Sequence, residues 1–234
     1  VPLYTADALV LRTYALGEAD RLVVFLTRDR GKKRGVAKSA RRPRSRFVGA
    51  LEPMTEARVA YYESARRELV GLNYAETIRS PLELTGGAWD PAHSADAQGM
   101  LATAQEALTH AAYFAELLNE WAQDADADER LYRLGASMLD ALGSGAPAEP
   151  LARYFEYWLL RLQGVYPEAK ESLSSGAKAF LLAARTVAPR DIGTVPVDPR
   201  AVRELEGVHR ALISMHLEKT LKSDRVLRDL RRHA

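Results

Sequence analysis

The densest chemistry in the sequence lies in one run, residues 28–46, RDRGKKRGVAKSARRPRSR. Ten of its side chains are basic and one, Asp29, is acidic, so it carries +9 in a chain whose total is +2. The remainder of the chain is therefore net acidic. Like charges crowded this closely repel one another and oppose compaction unless a polyanion shares the space. The polyanion that suits such a strip is a nucleic-acid backbone. Lys32, Lys33, Arg34 and Lys38, followed by Arg41, Arg42, Arg44 and Arg46, are the residues expected to meet phosphates. Phosphate neutralisation needs no base code, and arginine also binds phosphate bidentately or stacks on unpaired bases. The competing reading is a solvated basic hairpin.

Other residues of interest are sparser. Tyr14, Phe47, Tyr61 and Tyr62 fall in or beside expected strands, as base-stacking platforms or as core, and β-prone aromatics more often pack as core. A second basic cluster, Lys219, Lys222, Arg225, Arg228, Arg231 and Arg232, either extends the nucleic-acid surface or complements helix C-termini. His209 and His216 are seven residues apart, about 10 Å along a helix, too far to share one metal ion. There is no HExxH, phosphate-binding loop or GxSxG, and no cysteine for a disulfide, a thiolate zinc site or a nucleophile. Neither a catalytic centre nor a metal or other cofactor is expected.

The elements that position these residues divide the chain in two. Residues 3–12 and 20–27 read as strands, the second a continuous apolar run of buried-strand length. A tight turn is expected at 28–31, with Gly31 available for a positive φ. Residues 32–38 read as a third strand, with Lys32, Arg34 and Lys38 on one face and Lys33, Gly35 and Ala37 on the other. Residues 39–46, broken by Pro43, read as a mobile basic loop. Residues 47–62 and 68–74 supply strands four and five, with Pro53 marking an edge or bulge. From residue 95 the apolar period becomes helical. Leu101, Ala104, Leu108, Ala111, Ala115 and Leu118 form one seam, with Ser94 as a candidate N-cap. Leu131, Leu134, Met138 and Leu142 form another, stopped by Gly143. Residues 151–163 are apolar nearly all round and read as the central helix. Helices over 176–187 and from Asp198-Pro199 to about 221 follow, then a short one from Ser223. The fold class expected is α+β: a five-stranded OB-type barrel over 1–78, then an all-α domain of about six helices over 79–234. An SH3-like barrel and an open five-stranded sheet are the alternatives. No apolar run reaches membrane-spanning length, and the first residues lack a basic and an apolar leader region, so a cytoplasmic setting is expected.

The run Gly35-Val36-Ala37-Lys38 with Arg41-Arg42-Pro43-Arg44-Ser45-Arg46-Phe47, then Gly49-Ala50-Leu51-Glu52-Pro53, closely resembles the RecO family of recombination mediators. The opening Ala8-Leu9-Val10-Leu11-Arg12 with Leu16-Gly17-Glu18-Ala19-Asp20-Arg21 is similar to the family's first hairpin, and Lys222-Ser223-Asp224-Arg225-Val226-Leu227 to its ending. Phe155-Glu156, Leu159-Leu160-Arg161-Leu162 and Gly164 match in the helical part. The resemblance implies an OB-fold DNA-binding domain and a helical domain. It implies binding of single- and double-stranded DNA, annealing of complementary strands, and help in loading RecA onto DNA coated by single-strand-binding protein. The implied partners are RecR and the acidic-hydrophobic tail of the single-strand-binding protein, and the implied place is the nucleoid. Such a tail needs a hydrophobic hole rimmed by cations, for which Arg153, Arg161, Arg185, Arg203 and Arg210 are the candidates. Many members carry a four-cysteine zinc module after the helix that ends near Gly164. Here Tyr166-Pro167-Glu168-Ala169-Lys170-Glu171 runs into Leu173 without a cysteine, so no zinc is expected. An RNA-binding barrel protein and a non-catalytic scaffold are the rival readings.

Overall fold

The computed structural model describes residues 2–64, 66–85, 97–167, 173–217, 221, 223, 226 and 227. Five strands come first: β1 (Leu3–Leu16), β2 (Asp20–Thr27), β3 (Gly31–Ala37), β4 (Glu56–Tyr62) and β5 (Val70–Arg79). They close into a barrel in the order β1-β2-β3-β5-β4. The β3–β5 seam is parallel and joins only residues 35–37 to 70–72; the other pairings are antiparallel. This is the five-stranded OB arrangement, with a partly open seam. The helical part comprises α1 (Ala97–Trp121), α2 (Glu129–Gly143), α3 (Ala148–Leu162), α4 (Ser175–Ala183) and α5 (Pro199–Leu217). Two short 3₁₀ segments, Pro81–Thr85 and Pro189–Thr194, complete the described elements.

The barrel interior is lined by Val10, Val23, Phe25, Ala37, Tyr61 and Leu72. The opposite face of β1 and β2 is also buried, because Leu9, Leu11, Val24 and Leu26 join the core of the helical bundle. That two-sided burial explains why these strands are continuous apolar runs rather than alternating ones. Strand four is shorter than the sequence reading. Residues 47–55 form turns, and Phe47, Ala50 and Leu51 fold into the barrel core while Met54 reaches the helical core. Apolar content there marks a plug, not an edge strand. Five α-helices are described where about six were expected, and the place of the sixth, from Ser223 on, lies largely outside the described residues. So do the Ser94 cap and residues 168–172, where a zinc module would sit.

Local chemistry sets the helix starts. The Asp128 carboxylate accepts from the backbone N–H groups of Arg130 and Leu131 at the head of α2. Ser174 caps α4, and Asp198 accepts from Arg200 N beside the first-turn Pro199 of α5. The central helix α3 is buried along residues 151–157, charged residues included. Glu156 accepts from Tyr113 Oη at 2.7 Å and Arg153 Nη2 at 2.8 Å, and His209 Nδ1 lies 3.0 Å away. Burial pushes the Glu156 carboxyl up, but Arg153, His209 and Tyr113 together outweigh it and hold the group below the usual carboxylate range.

Candidate nucleic-acid interface

Strand β3 deals its side chains to two sides. Lys33, Gly35 and Ala37 face inward. Lys33 sits at the barrel mouth, paired to Glu63 at 2.7 Å, and Gly35 leaves room for Leu72 and Val70, which a Cβ there would displace. Lys32 and Arg34 face outward, Lys32 largely covered and Arg34 exposed, and both meet the helical part of the chain. Lys32 Nζ donates to Asn119 O at 3.0 Å and lies 3.5 Å from Asp124, and Arg34 donates to the same Asp124 at 3.1 Å. The first half of the basic run is thus already engaged by the chain itself.

The second half has no acidic partner among the described residues. Lys38, Arg41, Arg42, Arg44 and Arg46 are exposed. The segment that carries them is a series of hydrogen-bonded turns fastened to the β1–β2 hairpin. Ser39 N donates to Asp20 Oδ1 (2.8 Å), Arg41 N to Ala19 O (2.9 Å) and Arg41 Nη1 to Gly17 O (2.8 Å). Arg42 and Ser45 continue with turn bonds, and buried Phe47 anchors the far end with the Arg46 guanidinium 5.2 Å from its ring centroid. These exposed cations are therefore held beside the tip of the first hairpin.

Next to them runs a row of side chains on the outer barrel wall. Register pairs Tyr14 with Leu22, Leu22 with Val36, Val36 with Gly71 and Gly71 with Tyr62, so all five share one face. Tyr14 and Tyr62 are 45% and 43% exposed, and a Cβ on Gly71 would meet nothing. Phe47 and Tyr61 are buried, and burial pushes the Tyr61 phenol up to about 12. Arg12 steadies one platform: its Nη1 donates to Tyr14 Oη at 3.3 Å while Nη2 holds Glu116 of α1 at 2.8 Å. Beyond the other platform, Arg66 and Arg67 stand exposed in the β4–β5 loop, residues the sequence reading missed although two adjacent arginines between strands were the signal. In OB-folds the strand 2–3 face with the β1–β2 and β4–β5 loops is where oligonucleotides lie. Here the part nearest α1 is covered and the remainder is an apolar floor, two rings and a cationic rim.

The helical cations fall in different places. Arg161 and Arg185 converge: both donate to Tyr157 Oη, at 3.0 and 2.7 Å, on a groove of about 810 Å³ between α3 and α4 that Tyr166, Lys178, Leu181 and Leu182 also line. Arg153 is inside the bundle, only 2% exposed, and does not line the groove between α3 and α4. Arg210 pairs with Glu206, and Arg203 is exposed on α5 away from the groove. Arg225, Arg228, Arg231 and Arg232, with Lys219 and Lys222, lie outside the described residues. The histidines have structural partners, His209 with Glu156 and His216 stacked on Trp121 at 5.5 Å.

The family model for the recombination protein O N-terminal region matches residues 2–81, and that for its C-terminal region matches 103–188. A DNA repair protein RecO from Koribacter versatilis is 37% identical over 174 residues, 74% of this chain and 64% of that protein. One from an Anaeromyxobacter species is 34% identical over 169 residues, 72% of this chain and 60% of its own. One from Heliobacterium modesticaldum is 29% identical over 253 residues, 98% of this chain and 91% of its own. The chain thus spans less than two thirds of the length of the first two relatives.

Proposed function

Since the chain belongs to the RecO family, we propose that it is a DNA repair and recombination mediator that binds single- and double-stranded DNA and anneals complementary strands. In this reading it also assists RecA loading onto DNA coated by single-strand-binding protein, with RecR as a partner, on the nucleoid in the cytoplasm. The observation that carries it is the open part of the barrel face, where Tyr14 and Tyr62 flank an apolar floor and Lys38, Arg41, Arg42, Arg44 and Arg46 stand exposed at its edge. Strand annealing is opposed by repulsion between two phosphate backbones. Cations that track the backbone and read no base edge lower that repulsion for any sequence. Pairing then supplies the driving force, and no nucleotide hydrolysis is needed. Ring stacking holds single strands splayed and is sequence-tolerant. The groove between α3 and α4 supports docking of the single-strand-binding protein's tail, since Arg161, Lys178 and Arg185 rim apolar Leu181 and Leu182.

The test is annealing of two complementary labelled DNA strands over a salt series, by this protein and by R41A/R42A/R44A. The protein should accelerate annealing, and the acceleration should fade as salt rises. Loss of three single-strand phosphate contacts should lower the log–log salt slope of binding by about 2. No binding or annealing at low salt overturns the proposal. Equal acceleration by the triple variant removes the turn segment from it, and preference for RNA of the same sequence moves the function to RNA metabolism.

A further inference from the structure

Arg34 and Lys32, the two outward cations of β3, share one acid from the helical part of the chain. Asp124 Oδ2 accepts from Arg34 at 3.1 Å, and Oδ1 lies 3.5 Å from Lys32 Nζ. The contact is built into the backbone as well. Lys32 N donates to Gln123 O at 3.2 Å, and Ala125 N donates to Lys32 O at 3.0 Å, a one-residue parallel bridge. It fills the edge of β3 that β5, which reaches only residues 35–37, leaves open. Gly31 is the residue that allows it, because a Cβ there would run into the Asp126 backbone. The segment after α1 is thus a strap across the covered half of the barrel face. Asp124 itself stays exposed, at 57% of its side chain, as does Arg34 at 55%.

We propose that Asp124 stands where a backbone phosphate of the nucleic acid would sit, so that single strands extend along β3 by displacing its carboxylate from Arg34 and Lys32. A carboxylate and a phosphodiester present the same charge and acceptor oxygens to a guanidinium. The bridge fixes the strap in place, so the competitor has a high local concentration and sets a threshold: weak polyanions leave the pair closed, and a strand already held at the rings and turns opens it. Asp126, two residues on, is also exposed but has no cationic partner among the described residues, which makes it a matched control for charge alone.

This inference rests on the nucleic-acid reading above. The experiment measures binding of a labelled oligothymidylate, from about 50 to about 200 mM salt, by the wild type, D124N and D126N, with melting temperature and circular dichroism to show that each is folded. Asparagine keeps the backbone bridge. Freeing one phosphate position should steepen the D124N salt slope by about 0.7, so its gain over wild type grows about 2.6-fold from the upper to the lower salt. D126N should leave the slope unchanged. In a folded K32A/R34A protein, D124N should do no more than D126N, because the pair it releases is gone. D124N and D126N acting alike, or D124N retaining its gain without Lys32 and Arg34, overturns the proposal while leaving nucleic-acid binding intact. A wild type that binds no strand at low salt ends both readings.

Discussion

Replacing Glu156 with glutamine isolates the central polar cluster. The carboxylate is 2% exposed and accepts from Arg153 and Tyr113 while meeting His209. Glutamine keeps the shape and an acceptor but removes the charge that offsets the Arg153 guanidinium, itself 2% exposed, whose Nε and Nη1 have no hydrogen-bond partner among the described residues. Breaking one side of a buried pair costs about 3–5 kcal/mol. Glu206, 3.8 Å from Arg153 Nη1, retains part of the compensation, so the low end, about 3 kcal/mol, is expected. In a chain of this size that lowers Tm by about 6–12 °C. Urea unfolding at neutral pH would measure it, with an unchanged m-value as the check that one transition is compared. The sign of the pH dependence follows from the carboxyl being held below its unfolded value. Its contribution is fully present above the unfolded pKa and is lost as pH falls through the folded one. The gap between wild type and E156Q should therefore narrow as pH drops through and below the usual carboxylate range. A loss under about 1 kcal/mol, or a gap that does not change on acidification, would refute the reasoning.

Truncating Tyr14 or Tyr62 to alanine should weaken single-strand binding by about 1–3 kcal/mol per lost stack and leave duplex binding nearly unchanged. Equal losses on both substrates in a titration would mean the rings do not stack on bases. For the groove between α3 and α4, R161A/R185A should abolish binding of a fluorescent acidic peptide that ends in an aromatic residue with a free carboxylate; an unaltered Kd would place that partner elsewhere. Gly31 has φ +69 and backs onto Asp126, so G31A combines left-handed strain with overpacking and should cost about 2–5 kcal/mol in denaturant unfolding. A neutral result would show that the strap is loosely held.

The first hairpin and α3 were legible because their patterns were strong. The runs at 8–11 and 22–26 are apolar on both faces, and the helix at 151–163 is apolar nearly all round. Strand four was overextended because Phe47, Val48 and Leu51 look like a strand until Phe47 and Leu51 turn into the barrel end as a plug. The alternation of β3 matches the sequence pattern for Lys32 to Ala37, while Lys38 falls in the turn after the strand, and the chemistry of the strand was not legible. Nothing near Lys32 or Arg34 in sequence announces Asp124, some ninety residues away, as their partner. Arg153 is one of five groove candidates on sequence because its helix neighbours are aromatic. The spacing to Glu156, i and i+3 on a helix with no polar face, was the available sign of an internal pair. Tyr14 and Tyr62 escaped the general tendency of strand aromatics to pack because their row falls on the part of the wall that α1 does not reach.

Leu9, Leu11, Val24 and Leu26 belong at once to the barrel and to the core of the helices. During synthesis the strands end at Arg79, whereas α2 ends only at Gly143. At about 5–20 residues per second the ribosome needs roughly 3–13 s to cross that interval. For that time a nascent barrel shows a greasy stripe along its first two strands. The chain's exposure to misassociation is thus concentrated in a brief, defined window of its birth, and slowing elongation between the last strand and the second helix should lengthen it.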